Sequence, residues 1–169
     1  MSALERNDQA LIVRVRAVRG IHARQGAGWS ADPRVAGLAG ACRREIAETW
    51  RLFREMEVAR GCAACDQITA GGCCFAEVGQ GLSRELLLVN LVLGVELPLG
   101  RLVPGSCFFV GPAGCRLLAR EAFCINYFCP RLESLLGPDR LTDLRRQAGR
   151  EIMAVWELER ELGRRLSLA

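Results

Sequence analysis

Residues 32–61, DPRVAGLAGACRREIAETWRLFREMEVARG, open on a helix-start pair and then repeat one apolar face. Asp32 can accept from the free amides of a first turn, and Pro33 suits the first helical position, where no backbone N–H is missed. From there Val35, Ala39, Cys42, Ile46, Thr49, Phe53 and Met56 recur at spacings of four and three, one stripe of a helix. Trp50 flanks the stripe, and Gly61 reads as its stop. Cys42 lies on this inward face, so it reads as a small buried hydrophobe rather than a ligand. Such a helix needs a partner, and the end of the chain offers one. Asp139 starts a second run with Leu141, Leu144, Ala148, Ile152, Val155 and Leu162 inward and Gly163 near its end.

Between the two runs the patterning is shorter. Ser83 can cap a helix over 86–93, after which Pro98, Gly100, Pro104 and Gly105 mark irregular chain. The runs 107–110 and 115–118, joined by 111–114, read as a hairpin that brings Cys107 near Cys115. Pro130 and Gly137 bracket a short helix. Upstream, residues 1–31 are locally basic and weakly patterned. A short helix over about 8–19 with Leu11, Val15 and Val18 on one face is expected, with β-branched residues working against it. The expected fold class is mainly α: two long helices flank and pack on an irregular cysteine-rich middle with a short β-hairpin. The expected organisation is an N-terminal segment, 1–31, and one cysteine-cluster domain, 32–166, with its metal-site region at 62–130.

Composition narrows the chemistry. Half of the 169 residues are hydrophobic and a quarter are charged, which excludes wholesale disorder. All 23 basic residues are arginine, so no lysine Schiff base or lysine general base is available. A single histidine, His22, excludes a multi-histidine metal site. The formal charge of +4 gives no argument for nucleic acid. The apolar run 86–95, interrupted by Asn90 and Gly94, falls short of the ~20 residues needed to cross a bilayer. Arg14 and Arg16 break any signal-peptide apolar core. The expectation is a cytoplasmic protein that does not engage a membrane.

Nine cysteines are the outlying number. In a reducing compartment they point to metal ligation or redox chemistry rather than to a disulfide frame. Eight fall in the middle: Cys62, Cys65, Cys73, Cys74, Cys107, Cys115, Cys124 and Cys129. Thiolates are soft donors that suit zinc or an iron–sulfur cluster. Cys62-Ala-Ala-Cys65 has the two-residue gap that lets both sulfurs reach one metal. Its setting lacks the βαβ pattern expected of a thioredoxin-like pair. In Gly71-Gly72-Cys73-Cys74 adjacent cysteines point to different sides, and the glycines permit a tight path around a cluster. Cys129 precedes Pro130, which places it at a helix N-cap where the dipole favours thiolate.

The order CxxC, CC, C…GC and C-x4-C-P resembles a bacterial cysteine-cluster family that carries a zinc- or iron-chelating domain. Gly114-Cys115-Arg116-Leu117 and Cys124-Ile-Asn-Tyr-Phe-Cys129-Pro130 look most like its later motifs. The resemblance covers 62–130 and implies that the eight cysteines are the ligand set. Seven residues separate Cys65 from Cys73, a longer gap than the family usually has. Some members are linked to protein lysine methylation, but no S-adenosylmethionine motif is visible here.

These observations support a metal-binding cysteine-cluster protein serving electron transfer, metal handling or a partner enzyme. Iron–sulfur is preferred over zinc because paired glycines, a Cys-Pro terminus and apolar neighbours (Phe108, Phe109, Tyr127, Phe128) suit a buried cluster. A small cluster-dependent enzyme or methylation accessory is the alternative, and a structural-zinc interaction module a further one. Glu77, Glu85, Glu96 and Glu121 read as surface carboxylates, so no general base is nominated. A protein partner is expected; nucleic acid is not.

Overall fold

Four helices close a ring in the computed structural model, which describes residues 2–58, 60–62 and 73–168. They are α1 (Ala3–Ala31), α2 (Pro33–Glu55), α3 (Arg84–Val92) and the bent α5 (Pro130–Leu166). α2 packs along α5, α5 on α3, α3 on α1, and α1 on α2. The short α4 (Ala122–Asn126) leans on α5, and a 3-10 turn spans Val78–Gly81. The fold is mainly helical, as the periodicity predicts, with one two-stranded antiparallel hairpin.

α1 departs from the expected short helix. It runs 29 residues, starts with a reciprocal cap between Ser2 and Glu5, and continues through the glycines at 26 and 28. Packing overrides their poor helix propensity. A Cβ on Gly26 would lie 2.7 Å from the His22 ring, and Trp29 is buried just beyond. Two of its five arginines latch it to the rest of the chain, while Arg6, Arg16 and Arg24 are exposed. Arg14 donates to the carbonyls of Gln80 and Leu82 at 3.2 and 2.7 Å, and Arg19 to that of Leu97 at 2.6 Å.

Asp32 caps α2 through the amides of Arg34 and Val35, and Pro33 takes the first position. Val35, Ala39, Cys42, Ile46, Thr49 and Phe53 are all buried. The helix ends at Glu55 rather than Gly61, because Glu57 turns to a positive φ of 55°. Helical geometry resumes at 58 and 60–62. Gly61 serves instead as a contact point: a Cβ there would meet Leu132 at 2.8 Å.

α5 bends at Gly137, whose φ of 73° and ψ of 169° suit glycine alone. The short helix before Gly137 and the long one after it match the expected pair. Leu141, Leu144, Ala148, Val155 and Leu162 are buried, Ile152 is half-buried, and Leu158 joins the core.

The hairpin pairs only Val110–Gly111 with Gly114–Cys115. It is shorter than its apolar runs because Phe108 and Phe109 turn wholly into the main core. That core gathers α1, α2, α3 and α5 around these two rings with Leu117 and Ala119. A second, smaller core holds Phe53, Val58, Phe128, Leu132, Leu136, Leu141 and Leu144.

Candidate metal centre

Three neighbouring pieces of chain bring cysteines to one place. The Cys107 amide donates to the Cys74 carbonyl at 2.6 Å, and Phe75 bridges Ser106 beside it. The hairpin sets Cys115 opposite Val110, three residues past Cys107. Cys124 comes from α4, started by the Glu121 side chain accepting from the Phe123 amide.

Their electrostatics tie them together. Burial pushes Cys74 up to about 11, and Cys115, Cys107, Cys73 and Cys62 add to the rise. Burial pushes Cys124 up to about 12, with further contributions from Cys115, Cys74, Glu121 and Cys107. Negative charge on any one sulfur therefore opposes charge on the next. Cys107 and Cys115 are also raised by burial, but each has backbone help in the other direction. The amides of Phe109 and Gly79 favour the Cys107 thiolate, and the Leu117 amide favours that of Cys115. Gly79 fits this role by its lack of a side chain, since a Cβ there would come within 3.1 Å of the Cys107 sulfur.

The helical frame holds this region through residues that the sequence reading passed over. Asn90 is fully buried on α3. Its amide nitrogen donates to the Leu86 and Ala119 carbonyls, and its oxygen accepts from the Leu118 and Ala119 amides, all at 2.8–3.1 Å. Arg101 pairs with Asp8 at 2.6 Å and also reaches the Ala76 carbonyl. Arg120, 8% exposed, lies over Trp50 at 4.4 Å and Phe53 at 5.3 Å. A polar residue within an apolar run was the available signal for Asn90. Arg101 and Arg120 had none, because nothing local separates them from the other arginines.

The remaining cysteines are placed differently. Cys129 occupies the N-cap of α5 with Pro130 following, as expected, and packs against the second core. Cys62 and Cys73 are exposed and within electrostatic reach of Cys74. Cys65, Gly71 and Gly72 lie outside the described residues, so the CxxC geometry does too. Cys42 is buried, donates its thiol to the Ala154 carbonyl at 3.1 Å and is pushed by burial up to about 12. Phe108, Phe109 and Phe128 are buried, whereas Tyr127 is half exposed and stacked on Phe123 at 4.9 Å. Among the expected surface carboxylates, Glu77 and Glu96 are exposed while Glu85 and Glu121 are partly covered.

Among the described residues, no three Cys, His, Asp or Glu side chains already stand in metal-ligand arrangement. The donor chemistry is nevertheless that of a soft-metal site: thiols alone, with Cys107 buried, Cys115 and Cys124 half-buried and Cys74 at the surface, and with amides aimed at two of them. Two surface clefts of about 290 and 550 Å³ are lined by α2 and α5 arginines, by Trp50 or Trp156, and by no cysteine. No helix among the described residues is long and apolar enough to cross a membrane.

Fold and site together define a four-helix frame with a thiol-rich cap. No family model, curated protein or solved structure matches the chain.

Proposed function

We propose that this protein is a metal-binding cysteine-cluster protein whose central ligands are Cys74, Cys107, Cys115 and Cys124. The observation that carries this reading is the gathering of four thiols with backbone N–H groups directed at Cys107 and Cys115. Amide donors are what metal thiolates use to offset their charge. Cys62, Cys73 and Cys65 sit beside the four in space or in sequence and are the candidates for a second ion or for ligand exchange. Cys129 stands at a positive helix end, which favours thiolate there as well. An iron–sulfur cluster is the preferred occupant and zinc the second. When bound, such a cluster supplies one-electron chemistry; the chain supplies the soft donors, amide partners for two of them and a partly covered setting. The stacked Phe123 and Tyr127, 42% and 46% exposed on either side of Cys124, offer a protein partner a docking face at the same place.

Purification without oxygen followed by metal and sulfide analysis and a visible spectrum tests the reading. Iron and acid-labile sulfide with a broad absorbance near about 400 nm supports a cluster. A colourless protein with stoichiometric zinc supports the zinc form. Protein that takes up neither iron nor zinc under reducing conditions overturns the proposal.

A further inference from the structure

Two charged side chains inside the molecule are left short of hydrogen-bond partners. Arg120 is buried, and its Nε and Nη2 donors meet no acceptor. Glu151 on α5 is fully buried; neither carboxylate oxygen receives a donor in full hydrogen-bond geometry, and the neighbouring Thr49 hydroxyl gives it its nearest polar support. A guanidinium and a carboxylate left this way in a dry interior are each costly, so their retention needs a reason. The faces of Trp50 and Phe53 cover the flat side of Arg120 but leave its N–H edge unmatched. Two anionic candidates lie within its electrostatic reach, on opposite sides of the chain's organisation. One is Glu151 in the helical frame; the other is Cys115 in the thiol cap. The charge of Arg120 favours ionisation of both, against the burial that opposes it.

We propose that Arg120 is a buried counter-cation of the thiol centre on its Cys115 side and that Glu151 competes for it from the frame, so that the pair tunes how tightly the centre holds a metal ion. This rests on the metal-binding reading above. Four thiolates around zinc, or around a 4Fe–4S core, carry net negative charge that a fixed cation stabilises. Arg120 is thus a positioning residue: it compensates charge and ligates nothing. Glu151 draws on the same cation.

The test is zinc affinity of the full chain under reducing conditions, measured by competition with a chromophoric chelator for wild type, R120M, R120K and E151Q. Far-UV circular dichroism of each metal-free protein checks the helices. Arg120→Met should weaken zinc binding about tenfold or more, in the range of outer-shell substitutions, while Arg120→Lys keeps most of the affinity. Glu151→Gln should bind as tightly as wild type or more tightly. A packing role for the pair would weaken binding in all three variants alike. Unchanged affinity in R120M, or weakened affinity in E151Q with its helices intact, overturns the inference and leaves the metal reading standing. Should R120M fail to fold, R120K and E151Q decide by the same signs. Wild-type protein that binds no metal overturns both.

Discussion

Asn90 makes four hydrogen bonds from one buried amide side chain, and three of them hold the backbone of 118–119 against α3. Replacing it with leucine keeps the volume and leaves buried amides and a carbonyl without partners. The expected loss is about 3 kcal/mol in urea unfolding, given the cost of stranding such groups. The cysteines divide at the same scale. Cys42→Ser places a hydroxyl against the Ala154 carbonyl, so a loss of about 1 kcal/mol is expected with metal per protein unchanged. Cys115→Ser or Cys124→Ser removes a soft donor, and bound metal should fall sharply in samples purified alike. Equal metal in Cys115→Ser and Cys42→Ser would contradict the four-thiol assignment. The inward place of Cys42 was legible because helical periodicity is local. The burial of Arg120 was not, because its covering residues, Trp50 and Phe53 on α2 and Glu151 on α5, are distant in sequence.

Helices were the most legible elements. Caps at Asp32 and Ser83 and the stripe from Val35 to Phe53 stand where spacing puts them. α1 was read too short because its glycines and β-branched residues speak against helix, whereas burial of Leu11, Val15, Val18 and Trp29 decides for it. The hairpin was read too long for the opposite reason: Phe108 and Phe109 look like strand but leave the ladder for the core. Gly137 tests the element scale directly. At its φ and ψ, Gly137→Ala should cost about 1–3 kcal/mol, read as a lowered midpoint in thermal unfolding. Gly149, inside the straight part of α5 with open space at its Cβ position, is the matched control, where alanine should be neutral or stabilising.

At the scale of the molecule, charge ties the two ends of the long helices together. Glu161, almost wholly covered, receives hydrogen bonds from Arg34, Arg164 and Arg165, and Arg165 also pairs with Asp32. The hydrogen bond from Arg164, with that from Arg165, holds the Glu161 carboxyl down from an ordinary 4.5 to about 2. Between those values the unfolded chain binds the proton first, so this contribution is complete above about pH 4.5 and disappears as pH falls toward 2. Urea midpoints from pH 7 to pH 3 should drop less for Glu161→Gln than for wild type. Identical slopes would remove Glu161 from the acid response.

Trp50 packs against both cores, yet the cores share no buried residue. The smaller one contains Val58 and Phe128, next to the Cys62 and Cys129 ends of the cap, and lies on both sides of the Gly137 bend. Such a division lets a protein breathe in tiers. The small lobe can loosen as its own cooperative unit while the ring around Phe108 and Phe109 stays shut. Hydrogen exchange would then reveal two stabilities within one chain, the lower one across 132–144 and the higher across 86–92 and 154–162. On the proposed metal-binding function, a bound ion would enter or leave the cap on the timescale of the lower tier, long before the helices melt.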